Sequence, residues 1–201
     1  MMSNGTPKPI LLVDGDSLIH RGYHAMEGTN LRTSDGHPSW ALKAFWNFLT
    51  SAVNRVDAGG ITIGFDSRES YRAEVYPEYK AGRAEKSADL RSQLRNAPAH
   101  FAQAGLQVSV LNGYEADDIV ASAAKRNQAQ GVPSVVVTSD RDAFSLIDDE
   151  GPGVRVLRVV NGGHANWPLL TSERLHILCG VYPSEYRLYA AMRGDSSDNL
   201  P

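Results

Sequence analysis

Ser134-Val135-Val136-Val137-Thr138-Ser139-Asp140 is the stretch on which the reading of the fold turns. Its β-branched residues follow one another without polar alternation, the form of a strand covered on both faces, and such strands belong to parallel sheets packed between helices. The run ends in an acid. Moving outward, the same form recurs: Pro9-Ile10-Leu11-Leu12-Val13 runs into Asp14, and Ile61-Thr62-Ile63-Gly64-Phe65 runs into Asp66. Residues 107–111 and 154–160 are two further strand candidates. Helical patterns lie between them. Residues 40–56 place Leu42, Phe45, Trp46, Leu49, Ala52, Val53 and Val56 at i, i+3, i+4 spacing, the mark of a long amphipathic helix. Residues 87–104 carry Leu90, Leu94, Ala97 and Phe101, with Pro98 expected to kink or divide the helix and Gly105 to end it. A helix to about Gln130 and two short ones over 172–179 and 184–192 complete the pattern. Strands alternating with helices imply an α/β fold, a mostly parallel central sheet with helices on both faces. The expected organisation is a flexible polar leader over 1–8, an α/β core over 9–165 and a helical segment over 166–201.

The chain has 201 residues, 42% hydrophobic and 21% charged, values of ordinary globular proteins that exclude a disordered or fibrous class. No apolar run approaches bilayer length and the leader lacks a signal-peptide core, so the expectation is a cytoplasmic protein without a membrane partner. Cys179 is the single cysteine, which excludes an intrachain disulfide and a cysteine-based metal cluster. Net charge is −3 and the pI about 6.1, against a protein that coats nucleic acid by bulk positive charge. Two divalent cations in an acidic site would reverse that sign.

The acids make such a site plausible on topology. In parallel sheets, ligands bind outside the carboxyl ends of the strands, so Asp14, Asp66 and Asp140 should gather along one edge. Gly113-Tyr114-Glu115-Ala116-Asp117-Asp118 adds three carboxylates at a helix start. One or two acids there are ordinary partners of the helix dipole, but a third asks for positive charge, and few basic residues sit nearby in sequence. Asp142, Asp195 and Asp198 are further candidates for the same edge. The donors are all oxygen, the preference of Mg²⁺ or Mn²⁺. The alternative is a scatter of unrelated surface acids in a chain with 23 Asp and Glu. His20 and His24 stand at i, i+4, a pair more often packing than ligand, and Trp167 and Tyr182 are expected in the core.

Residues 67–86 have a different texture, with Arg68, Arg72, Lys80, Arg83 and Lys86 among glutamates and with Tyr71, Tyr76 and Tyr79 interleaved. On a helix, Lys80 and Arg83 would face one way and could grip one phosphate. Arg72 could contact a neighbouring phosphate, and Tyr71 and Tyr79 offer faces for unpaired bases, worth about 1–3 kcal/mol per base.

Taken in order, Leu12-Val13-Asp14-Gly15 with Arg21 and Tyr23, Phe65-Asp66, Arg72 through Tyr79-Lys80-Ala81-Gly82-Arg83, Gly113 through Asp118, Ser139 to Asp142 and Gly194 through Pro201 resemble the flap endonuclease and 5′-nuclease family, which includes the 5′→3′ exonuclease domain of bacterial DNA polymerase I. The resemblance implies that Asp14, Asp66, Glu115, Asp117, Asp118, Asp140, Asp142, Asp195 and Asp198 bind two or three divalent ions. It implies that Lys80 and Arg83 lie in or beside a helical arch, spanning about 67–105, where they position the scissile phosphate. The reaction would be DNA phosphodiester hydrolysis near a 5′ single-strand/duplex junction in replication and repair. The expected partner is DNA with a 5′ flap, with RNA of RNA/DNA hybrids as a further substrate, and the expected state a monomer. The family continues past Asp-Asn-Leu-Pro into a helix-hairpin-helix region, so truncation before that duplex anchor is expected. Asp16, where relatives often carry an uncharged residue, could hold outer-sphere water or cap a turn. A second resemblance, of Asp14-Gly15-Asp16-Ser17, Val137-Thr138 and Gly194-Asp195 with Asp198 to haloacid-dehalogenase-like phosphatases, lacks the required lysine between Ser139 and Gly194. A catalytically weak DNA-binding fragment is the nonenzymatic alternative.

Overall fold

In the computed structural model, residues 7–195 and Asp198 are described; most of the polar leader, and Ser196, Ser197 and residues 199–201 of the terminal motif, lie outside the described residues. Five strands, β1 (Ile10–Asp14), β2 (Gly60–Phe65), β3 (Gln107–Val110), β4 (Ser134–Thr138) and β5 (Val154–Arg158), are parallel, and a sixth, β6 (Leu169–Leu170), runs antiparallel to β5. The order across the sheet is β3-β2-β1-β4-β5-β6.

The continuous apolar strands are explained by two cores. Leu11, Val13, Val135, Val137 and Leu157 point into one, built with α1 (Gly15–Met26), α2 (Trp40–Val56) and α4 (Ala88–Gln103). Leu12, Val136, Val154 and Val156 point into the other, with α5 (Ala116–Ala129), α6 (Ser172–Cys179) and α7 (Pro183–Arg193). A half-buried alternating strand would have needed only one. The first core has an aromatic centre, with Phe45 and Phe101 rings 4.3 Å apart and Phe65 stacked beside both.

Three expectations change. The helix through Pro98 is neither divided nor ended there, because Ala97 and Phe101 on either side are fully buried and hold it to the sheet. α4 packs into the core, and the stretch before it forms only the short α3 (Tyr71–Val75) and a series of turns up to about residue 83. Tyr182 is not core: it is 49% exposed and stacks flat on His176, ring centroids 4.3 Å apart. Trp167 is core, as expected.

Candidate active site

Asp14 closes β1 and caps α1, accepting the Ser17 backbone N–H at 3.0 Å and the Thr138 hydroxyl at 2.8 Å. Thr138 closes β4, and its Oγ1 accepts the N–H of Asp140 at 3.0 Å, so the first and fourth strand ends are tied together. Gly15 allows the helix to begin there: a Cβ would stand 2.4 Å from the Phe65 ring. Two residues on, the Asp16 carboxylate accepts the Asp66 N–H at 2.7 Å, and the Asp66 carboxylate accepts the Ala116 N–H at 2.8 Å. Asp16 thus forms a strut from α1 to the end of β2. A chain of carboxylate-to-backbone bonds thus joins β1, β2 and the start of α5.

The acids at that start have the counter-charge that the local sequence did not show. Strand-like bonds between residues 67–71 and 113–114, Ser67 N–H to Tyr114 O at 3.0 Å and Tyr71 N–H to Gly113 O at 2.9 Å, carry the basic stretch across the α5 N-terminus. Arg72 then makes a bidentate pair with Asp118, 2.8 Å on each arm, and reaches Glu115 at 3.1 Å. Glu115, only 6% exposed, also accepts the Tyr79 hydroxyl and Lys80 Nζ, each at 2.9 Å. Asp118 in turn accepts the Glu115 N–H at 3.0 Å, a capping bond at the helix start. Burial works against the Glu115 charge, but Lys80 and Tyr79 overcome it and hold the carboxyl below its usual range. Arg83 pairs with Asp198.

These groups open on a cleft of about 1180 Å³ lined by Asp14, Asp16, Asp66, Glu115, Asp117, Asp140, Asp142, Asp195 and Asp198, and also by Tyr71, Arg72, Tyr79, Lys80 and Arg83. The acids crowd one another. Burial, reinforced by Asp16 and Asp66, pushes Asp14 up to about 7. Burial and then Asp66 do the same to Asp16, also to about 7. Asp117 rises to about 6, by burial and despite Arg72. Asp142 is raised by burial and by Asp140, Asp195 and Asp198. Among the described residues, no three carboxylate, imidazole or thiol groups stand close enough to enclose an ion by themselves. The donor set nonetheless fits a hard cation: it is all oxygen, it is crowded with like charge, and Mg²⁺ keeps several waters instead of requiring a complete protein cage.

The convergence expected of the strand-end acids is therefore present, and several details differ. Asp118 does not line the large cleft; it turns toward Arg72 and a smaller adjoining cavity shared with Asp14, Asp117, Asp140 and Asp142. Lys80 and Arg83 are not on a helix, since residues 77–83 form turns and Lys80 has φ +58°, in the left-handed region. Arg72, expected on a phosphate, is engaged by carboxylates. Tyr71 is 43% exposed with Arg72 over its ring, and Tyr79 holds Glu115 through its hydroxyl. Sequence reading missed the hydroxyls of Ser17 and Thr138, although Asp14-x-x-Ser17 has helix-cap spacing. It also gave no role to His20, which lines the cleft and is held down to about 4, hence neutral, by burial and by Lys86, His24 and Arg83.

Residues 9–175 match the family described as 5′-3′ exonuclease, N-terminal resolvase-like domain. The thermostable DNA polymerase I of Thermus aquaticus is 36% identical over 193 residues, 96% of this chain and 22% of the relative. DNA polymerase I of Mycobacterium tuberculosis is 34% identical over 201 residues, 99% of this chain and again 22% of the relative. The chain thus spans about a fifth of the length of these relatives. Among solved structures, a T5 protein co-crystallised with metal ions superposes with a TM-score of 0.75 at 18% identity, covering 95% of this chain and 68% of that one. The bacteriophage T5 flap endonuclease in a pseudo-enzyme-product complex with DNA and metal ions gives 0.69 at 20% identity, over 95% and 68%. At these identities the likeness shows the fold.

Proposed function

The chain belongs to the family of 5′-3′ exonuclease, N-terminal resolvase-like domains, and from that premise we propose that it is a divalent-metal-dependent nuclease cutting DNA phosphodiesters at 5′ flaps and single-strand/duplex junctions. The observation that carries the reading is the gathering of strand-end and helix-start acids in one cleft, with Tyr79, Lys80 and Arg83 facing them.

In this reading Asp14, Asp66, Glu115, Asp117, Asp140, Asp142, Asp195 and Asp198 hold Mg²⁺ or Mn²⁺, two or three ions in all. Asp118 acts from behind, fixing Glu115 and Arg72. Ions in such a site would supply an activated water and charge stabilisation of the leaving oxygen. Lys80 and Arg83 bind the non-bridging oxygens of the scissile phosphate, exchanging the carboxylates of Glu115 and Asp198 for phosphate. Arg72 keeps the α5 acids apart from one another and aligned. Burial opposes its charge, but Asp118, Asp117 and Glu115 more than compensate, so it stays protonated. Tyr71 offers a ring for an unpaired base. A monomer is the proposed acting unit, and the cytoplasm the proposed setting. RNA/DNA hybrids are a further substrate in this proposal.

The test is cleavage of a 5′-labelled flap substrate with Mg²⁺ or Mn²⁺, run beside Asp140→Asn and a chelator control. Junction-proximal cuts lost in both controls are expected. Cutting that persists in the chelator would overturn the metal assignment, and a wild-type chain that binds flap DNA without cutting it would overturn the enzyme.

A further inference from the structure

Two of the acids in the cleft are tied to each other by hydroxyls. The β1–β4 ladder ends at the pair Val13 and Val137. Beyond it the two chains part, Asp14 into α1 and Ser139 into a bend, so backbone pairing no longer fixes Asp14 against Asp140. Thr138 does so instead. Its Oγ1 donates to Asp14 Oδ2 at 2.8 Å and accepts the Asp140 N–H at 3.0 Å. Asp140 Oδ1 in turn accepts the Asp142 N–H at 3.0 Å, which carries the order on to the next acid.

Ser17 completes the arrangement from α1. Its backbone N–H donates to Asp14 Oδ1 at 3.0 Å, and its Oγ accepts the Ser139 N–H, also at 3.0 Å. The same Oγ lies 2.5 Å from Ser139 Oγ and 3.3 Å from Thr138 Oγ1. A hydroxyl has one proton to give. That of Thr138 is committed to Asp14, so Ser17 donates its own to Ser139 or to Thr138. Each Asp14 oxygen thus has one donor from the scaffold and keeps acceptor capacity toward the two cavities that Asp14 lines. Thr138 is 1% exposed with its hydroxyl engaged on both sides, so it acts only through the acids.

Packing alone does not ask for the Thr138 hydroxyl. Val135, Val136 and Val137 precede it on the same buried strand, and a fourth valine would have threonine's shape. Carboxylates that bind ions do ask for it: hydrogen bonds behind the ligands fix their orientation, and losing such a partner typically costs about 10–100-fold in metal affinity.

We propose that Thr138 and Ser17 are positioning residues, which set the divalent-ion affinity of the cleft by holding Asp14 and Asp140 in place without touching an ion. The proposal rests on the assignment of these acids as ion ligands in the nuclease reading. Neutral substitutions test it, because they leave the charge of the cleft unchanged. A loss of affinity then reports where the carboxylates stand and not how many there are.

The experiment is calorimetric titration of the metal-free protein with Mn²⁺ at one pH and ionic strength, with urea unfolding in EDTA alongside. The proteins are wild type, Thr138→Val, Thr138→Ser and Ser17→Ala. Thr138→Val should weaken Mn²⁺ binding by about 10–100-fold and Ser17→Ala by roughly tenfold, while Thr138→Ser, which keeps the hydroxyl, should restore most of the affinity. On flap DNA the Mn²⁺ concentration for half-maximal cleavage should rise in the same order, with KM for DNA at saturating Mn²⁺ unchanged. A merely structural role would lower the unfolding free energy and leave the Mn²⁺ affinity of the folded protein where it was. Wild-type affinity in either Thr138→Val or Ser17→Ala overturns the proposal, as does equal weakening in Thr138→Val and Thr138→Ser, which would trace the loss to packing. If Thr138→Val does not fold, Ser17→Ala decides alone by the same criterion. A wild type that binds no Mn²⁺ sinks the ion assignment and the proposal with it. A wild type that binds Mn²⁺ beside variants that bind it equally well sinks the positioning role alone.

Discussion

Asp14→Asn should make the metal-free protein more stable at pH 8 and not at low pH. Asp14 is 8% exposed and its carboxyl sits at about 7 instead of 3.8, chiefly through burial. Between those values the folded protein keeps the proton that the unfolded chain has lost. Stability is therefore fully present below 3.8 and falls as pH rises, by about 1.4 kcal/mol per pH unit, until Asp14 ionises in the folded state. The full loss is about 4 kcal/mol, an upper bound because water entry screens part of it. Asparagine keeps the geometry. Its oxygen accepts the Ser17 N–H and its amide donates to the Thr138 oxygen, at a cost of about 1 kcal/mol for the weaker bonds. The net expectation is a gain of about 1–3 kcal/mol at pH 8 and a small loss at pH 4, measured by urea unfolding in EDTA. Asp16 and Asp117 titrate in the same range, so the difference between variant and wild type, not the wild-type curve, isolates Asp14. Saturating Mg²⁺ should reverse the order at pH 8, since only the wild type gains fully from an ion bound to its native state. A variant that is less stable by one constant amount at every pH would refute the argument: Asp14 would then be an ordinary cap, not a carboxylate held under electrostatic stress.

The sheet could be read from the sequence because β1, β4 and β5 are buried on both faces, which leaves runs such as Val135-Val136-Val137 with no polar interruption. The long α2 was equally plain, its apolar period matching the buried set Leu42, Phe45, Leu49 and Ala52. α1 was hidden. Its buried face includes Gly15 and Gly22, and a Cβ added at the latter would stand only 2.7 Å from the Ala44 Cβ, so close helix packing replaced the large apolar residues that a periodicity search weighs. β6 is two residues long and carries no pattern. At Pro98 local propensity pointed the wrong way, since a proline costs a helix about 3 kcal/mol. Burial of Leu90, Ala97 and Phe101 on the same helix outweighs it, at about 1.5–3 kcal/mol per large apolar side chain.

The acids were legible through topology: strand order and direction alone bring Asp14, Asp66 and Asp140 to one edge. Their counter-charges were not. Arg72 and Asp118 are 46 residues apart, and only the bonds from residues 67–71 to Gly113 and Tyr114 place one over the other. The basic stretch was read by its i, i+3 spacing as a helical grip, whereas Lys80 at φ +58° reverses the chain so that its amine turns inward to Glu115. A spacing rule applies only where the backbone is regular.

Two further substitutions separate chemistry from scaffolding. Lys80→Ala should reduce kcat on flap DNA by about 10²–10³-fold, the scale of one lost phosphate-stabilising donor, with a smaller loss of stability than Arg72→Ala, because Glu115 keeps the Arg72 guanidinium and the Tyr79 hydroxyl as partners. An equal fall in stability and activity would place Lys80 in the scaffold instead. Arg72→Ala should behave in the opposite way. It strips the bidentate partner from Asp118 and takes the guanidinium contact from Glu115. Breaking a buried pair costs about 3–5 kcal/mol, which the 26% exposure of the Arg72 side chain discounts to about 1–3 kcal/mol of unfolding free energy in EDTA. Arg72→Lys should recover little of it, because an ammonium cannot span both Asp118 oxygens. If Arg72 were instead a phosphate contact, as its place in a basic stretch first implies, Arg72→Ala would leave urea unfolding unchanged and lower the salt dependence of DNA binding, and Arg72→Lys would restore both. The carboxylates around it decide between these outcomes: a guanidinium already committed to Asp118 and Glu115 has its forks filled, and removing it should be felt by the α5 start before it is felt by the DNA.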